Sequence, residues 1–136
     1  MRLAILLASL LMLSACSKTE SDATLVFASA FSMQAPPGNV VALNGYRLER
    51  RKFFKVSGEM WRLHLAGPGA RQFVRERWRD LRLGNPRVFL QGTQTPWFAP
   101  GREVKYFTYI SPSDPAVTVM ERDGSEEVFI AYDDTR

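Results

Sequence analysis

The sequence predicts an α+β fold: a mostly antiparallel β-sheet with one main amphipathic helix, at about 70–83, packed on one face. Three observations carry this. Glu59 to Ala66 alternates, with Trp61, Leu63 and Leu65 pointing one way and Arg62 and His64 the other, the period of a strand with one buried face. Ala70, Phe73, Val74, Trp78 and Leu81 repeat at helical spacing. The remaining apolar runs are short and punctuated by Gly, Pro and Asn, as in a sheet of short strands.

In chain order, Thr24 to Met33 is an apolar stretch of undecided type, closed by Pro36-Pro37-Gly38. Val40 to Leu43 and Tyr46 to Val56 read as strands joined by Asn44-Gly45, a strong two-residue turn signal, with Ser57-Gly58 as the next turn. Gly67-Pro68-Gly69 ends the alternating strand and starts the helix, and Gly84-Asn85-Pro86 stops it. Arg87 to Gln91 reads as a short strand, and 92–102 as a loop carrying Pro96-Trp97-Phe98-Ala99-Pro100-Gly101. Val104 to Ile110 is a strand. Ala116 to Arg122 and Glu126 to Tyr132 are two more, paired across Asp123-Gly124. The helix is expected to bury Phe73, Val74 and Trp78 against Trp61, Leu63 and Leu65.

The N-terminus has the three parts of an export signal: Arg2, an apolar run from Leu3 to Leu13, and a closing Leu13-Ser14-Ala15-Cys16. The apolar run is short of the roughly 20 residues a spanning helix needs, and Lys18, Glu20 and Asp22 follow at once. The closing tetrapeptide resembles the lipobox of bacterial lipoproteins. That resemblance implies a diacylglycerol thioether on Cys16, cleavage before it, and acylation of the new amine. Two or more acyl chains hold a protein stably on a bilayer where one does so marginally. Ser17 after the cysteine favours the outer membrane over the inner. The expected organisation is a signal peptide over 1–15, a lipidated terminus and tether over 16–23, and one globular domain over 24–136. Cys16 is the sole cysteine, so a lipidated chain has no disulfide within the monomer, and packing must hold the fold. The 35–40 segment, the strand–helix unit and the Pro-Trp-Phe-Ala-Pro loop resemble small bacterial domains of no assigned function, which implies nothing about activity.

Charge is uneven. Residues 47–87 hold twelve Lys or Arg against four Asp or Glu, whereas 102–136 hold four against eight. This suggests internal pairing of the two halves or a basic face for an anionic partner. Outside the cytoplasm that partner would be a lipid headgroup, an envelope polymer or an acidic protein, not nucleic acid.

Catalytic schemes lack parts. With one histidine, His64, and a lipidated cysteine, neither a multi-His metal site nor a Cys–His pair can form. There is no Gly-x-Ser-x-Gly elbow, phosphate loop, dinucleotide fingerprint or calcium loop. Glu49, Glu59, Asp114, Asp133 and Asp134 are the remaining acid–base candidates, and solvated surface charge accounts for such residues. The expectation is a non-enzyme without cofactor or metal.

Two features stand out. Arg71, Arg75, Arg79 and Arg82 line one side of the expected helix, beside the apolar face, and arginine forks suit phosphate or carboxylate groups. Arg77 falls inside the apolar stripe and must snorkel or pair. Trp97 and Phe98, held between two prolines, form a stiff aromatic knob that would either anchor a partner or fold back as a lid on the core. The expected function is an envelope lipoprotein that binds another envelope protein. The alternatives are a binder of anionic lipid or envelope polymer through the arginine stripe, and an immunity-type inhibitor of a periplasmic toxin.

Overall fold

The computed structural model describes residues 17–85, 94–99 and 105–134. The expected signal segment, Cys16, and the expected strand at 87–91 lie outside them. Seven antiparallel strands form one sheet: β1 (Ser17–Glu20), β2 (Val41–Lys52), β3 (Lys55–Ala66), β4 (Arg82–Leu83), β5 (Tyr106–Ile110), β6 (Val117–Arg122) and β7 (Val128–Asp134). Their order across the sheet is β1-β2-β3-β7-β6-β5-β4. Two helices, α1 (Ala23–Phe31) and α2 (Ala70–Arg77), complete the described elements, so the expectation of one main helix is corrected to two shorter ones.

The apolar stretch at 24–33 is α1. Asp22 caps it by accepting a hydrogen bond from the Leu25 N–H (3.0 Å), and Ser32 ends it in the left-handed region (φ 53°). Residues 17–22, expected as a tether, are instead an edge strand and this cap. Ser17 pairs with Arg50 and Glu20 with Arg47, and the Glu20 carboxylate accepts from the backbone of Ser21 and Asp22.

Asn44-Gly45 is not a turn. Both residues lie within β2, opposite His64 and Leu63, next to a bulge between Ala42 and Asn44. The glycine serves close packing: a Cβ there would stand 2.9 Å from Val26 Cβ and 3.0 Å from the Ala23 Cα of α1. The chain reverses instead at Phe53-Phe54, where both residues have positive φ (52° and 65°), normally the role of Asn-Gly. Ser57-Gly58 also lies inside a strand. Arg50 faces Gly58 and Arg51 faces Val56, with a register shift between.

The core lies between the sheet and both helices. Val26, Phe27 and Phe31 of α1 meet Val74 and Trp78, over Trp61, Leu63, Leu65, Val117, Val119, Val128 and Ile130. Aromatic rings link the layers: Phe31 is 4.9 Å from Phe73 and 5.6 Å from Trp78, and Trp61 stacks on Tyr132 at 5.4 Å. The expected contact between the 73/74/78 stripe and the 61/63/65 face is thus present, with α1 sharing that face.

The second helix stops at Arg77, not Leu83. Trp78 is extended (φ −121°, ψ 93°) and buried, its indole N–H donating to Asp114 Oδ2 at 3.2 Å. Asp80 then accepts from the Ser111 hydroxyl and the Ser113 backbone N–H, both at 2.7 Å. Hydrogen bonding by the Ser113 and Ser111 side chains, reinforced by the Ser113 backbone, holds its carboxyl down to about 2. Tertiary ties at 78 and 80 override helical propensity, and Arg82-Leu83 pair with Ile110 and Tyr109.

Candidate functional site

The four candidate arginines do not form one helical stripe. Arg71 and Arg75 lie on α2, Arg79 follows its end and Arg82 is in β4. The first two converge on Glu121 of β6. This glutamate occupies the helix-covered row after Val117 and Val119, and its side chain is 1% exposed. Its oxygens accept from Arg75 Nε (3.0 Å) and Nη2 (2.8 Å), a fork that keeps the guanidinium charged and raises its pKa further. Arg71 Nε stands 3.9 Å from the same carboxylate without a hydrogen bond, while its Nη2 donates to the Arg122 carbonyl. The charge asymmetry is therefore partly internal, a basic helix edge joined to a buried glutamate of β6. Arg77 is exposed, with its guanidinium 5.3 Å from the Trp78 ring centre.

Beside this pair an open cleft of about 570 Å³ runs from Pro68 along Arg71, Gln72, Arg75, Glu76 and Arg79 to Glu126. Arg75 is 55% exposed, so it presents an anchored guanidinium to the cleft, 5.7 Å from the Tyr109 ring centre. The cleft offers charge of both signs, which suits a polar protein segment better than a run of phosphates.

The Trp97-Phe98 knob folds back. Phe98 is fully buried with Phe129 and Ala131, 5.6 Å from the Phe129 ring and edge-on to it, and Trp97 and Tyr106 pack around them. This cluster covers the sheet face opposite the helices. Phe98 is thereby unavailable as a partner anchor, and Trp97 is only partly exposed.

His64, expected on the polar side of its strand, lies under the same cover. It stacks on Phe129 at 4.1 Å, Asn44 Nδ2 approaches Nδ1 at 3.2 Å, and Nε2 lies 3.1 Å from Glu127 Oε1. Burial pushes its pKa below the ordinary 6.5, against the pull of Glu127. Glu127 is itself held low. Burial opposes ionisation there, but bonds from Arg122 (2.6 Å), Ser125 (3.1 Å) and His64 outweigh it. Nearby, Arg62 forks onto Asp133 (3.1 and 2.9 Å) and donates to the Tyr132 carbonyl. These contacts tie Asn44 of β2 and His64 and Arg62 of β3 to Arg122 of β6, to Ser125 and Glu127 beyond it, and to Asp133 of β7. Among the described residues no group of three or more His, Cys, Asp or Glu side chains could hold a metal, and no helix is long and apolar enough to cross a membrane.

One exposed feature escaped the sequence reading: the β2–β3 tip, where Phe53 and Phe54 are 61% and 95% exposed. The flanking Arg50, Arg51, Lys52 and Lys55 are evident in the sequence, but Phe53-Phe54 carries none of the Gly, Asn or Pro chemistry that marks a turn. No family model matches the chain, and neither a curated protein nor a solved structure matches it.

Proposed function

We propose that this chain is a lipid-anchored protein of the bacterial cell envelope, with the outer membrane favoured, and that its domain is a non-catalytic module binding another envelope protein. The anchor rests on the lipobox-like Leu13-Ser14-Ala15-Cys16. The binding role rests on one observation, the Arg75 guanidinium fixed by a buried carboxylate yet facing an open cleft of mixed charge. An arginine whose geometry is already set loses little freedom on contact and makes a good hydrogen-bonding anchor. With Phe98 buried, the docking surface is moved from the aromatic loop to this edge of α2.

The test has two arms. Mass spectrometry of the mature N-terminus should find a diacylated and N-acylated Cys16, and Cys16→Ser should leave the precursor uncleaved at that site. An unmodified Cys16 would remove the anchor. In intact cells, a photo-crosslinking residue at Gln72 should give one discrete protein adduct that is lost with Arg75→Gln, while a crosslinker at the remote Ser113 gives none. Absence of an adduct at 72, or one indifferent to Arg75, would refute the partner reading.

A further inference from the structure

The β2–β3 hairpin projects beyond the rest of the sheet. The last pair between β3 and β7 is Glu59 with Asp134, and the last between β2 and β1 is Arg50 with Ser17. Among the described residues, two strands continue past these points to the turn, about 10 Å further at the usual rise per residue. Residues 50–57 are all exposed. Phe53 and Phe54 lie at the apex with Val56 just behind, exposed by 61%, 95% and 54%. Arg50, Arg51, Lys52 and Lys55 surround them. Arg51 shares the Glu49 carboxylate at 3.3 Å and Lys52 lies 6.0 Å from the Phe53 ring centre, while no described carboxylate is within ion-pairing distance of Arg50, Lys52 or Lys55.

We infer that this tip is a second membrane contact: Phe53 and Phe54 enter the interface of an anionic bilayer while Arg50, Arg51, Lys52 and Lys55 lie among its headgroups. Three observations select a bilayer as the occupant. An apolar apex ringed by cations matches the depth profile of a leaflet, apolar inside and negative at the surface. The arm is also exposed along the whole of residues 50–57. The chain also enters the fold at Ser17, level with Arg50 on the neighbouring strand and one residue after the expected lipid site. A lipid on Cys16 would therefore leave the domain on the same side as the tip, and two attachment points set an orientation that one flexible acylated end does not. In that orientation the apex faces the bilayer and the sheet stands away from it. The inference rests on the proposed anchor for this geometry, but not on the protein-partner reading.

The turn supplies a control that keeps the fold. Asn-Gly is the pair best suited to positive φ at both central positions, so Phe53→Asn with Phe54→Gly removes the apolar apex and eases the backbone. The full lipoprotein, its lipid confirmed by mass on the same sample, is reconstituted into vesicles of phosphatidylethanolamine containing about one third phosphatidylglycerol. An NBD fluorophore on the thiol introduced by Ser57→Cys reports the tip, and one on the thiol introduced by Asp123→Cys reports a remote turn. Nitroxide on the lipid acyl chains should quench the tip probe and not the remote one. The Asn-Gly variant should abolish tip quenching. Replacing Arg50, Arg51, Lys52 and Lys55 by Gln should weaken it by roughly fivefold per cation, as should vesicles of phosphatidylcholine alone. A lipidated protein whose tip probe is unquenched, or as strongly quenched in the Asn-Gly variant, overturns the inference. So does shielding that appears in detergent without lipid and grows with protein concentration, which would assign the tip to a second copy of the chain. A sample without lipid on Cys16 refutes the anchor instead, and the two failures are told apart by the mass.

Discussion

Truncating Arg75 should expose how a carboxylate survives in the core. Glu121 is 1% exposed in the row it shares with Val117 and Val119, and Arg75 makes both of its short charged bonds, at 3.0 and 2.8 Å. In Arg75→Ala the nearest remaining cation is Arg71 Nε at 3.9 Å, without a hydrogen bond. Removing one partner of a fully buried pair costs about 3–5 kcal/mol, chiefly the penalty of the charge left behind. Arg75 is 55% exposed, however, so water reaches the vacated space. Screening then lowers the expected loss to about 2–3 kcal/mol. Glu121→Leu removes the buried charge itself and extends the valine row, while the freed Arg75 is solvated. It should stay within about 1 kcal/mol of the parent. In that background Arg75→Ala should lose less than about 0.5 kcal/mol, as an ordinary surface change does. Urea midpoints at unchanged m-value measure all four proteins of the cycle. A loss below about 0.5 kcal/mol for Arg75→Ala alone, or an equal loss in both backgrounds, would show that Glu121 does not depend on this pair.

Other outcomes follow from the packing and the titrating groups. Trp78→Ala should destabilise by about 3–5 kcal/mol in the same urea assay, since the ring is buried among Phe31, Phe73 and Trp61; a loss near zero would mean that α2 is not seated on the sheet. Phe53→Asn with Phe54→Gly should stabilise by about 1–2 kcal/mol by removing two side chains from left-handed backbone, read as a raised urea midpoint, whereas a loss would place the turn elsewhere. Because His64 is held below 6.5, the unfolded chain takes up its proton first, so stability is full above that pH and declines as pH falls through the lower folded value. Glu127, held below 4.5, adds a second loss in the same direction at lower pH. Thermal midpoints between about pH 7 and 5 should fall less in His64→Gln than in the parent, and parallel curves would refute the assignment.

Where one period dominated, the fold could be read directly. Glu59 to Ala66 alternates because one face packs on helices, and Asp123-Gly124 marks a reversal because Gly124 takes positive φ (71°) there. The α+β class and the three C-terminal strands follow from such local signals. Asn44-Gly45 misled because a glycine that admits Val26 and one that turns the chain are the same letter. Phe53-Phe54 carries no turn chemistry at all, and only the pairing of β2 with β3 forces it. The end of α2 depended on Asp114 and on Ser111 and Ser113, some thirty residues onward. The candidate site divided in the same way. Arginines could be counted along a helix, but the carboxylate that claims Arg75 lies 46 residues away. Phe98 had two equally local readings, and only Phe129 on the opposite sheet face decides between them.

The four-residue strand at Ser17–Glu20 has a consequence for release of the domain. It pairs with Arg47 to Arg50, four of the twelve residues of β2, and so shortens the row of backbone groups that this edge would otherwise leave unpaired. At the far side the outermost described strand is β4, of two residues. If Cys16 carries the proposed lipid, a protease clipping between Ser17 and Asp22 would free the domain from it and strip off this strand in the same event. The shed product would carry a bare, adhesive edge, so cells that need a soluble form would have to cut before Ser17, and accidental cleavage would yield material that self-associates.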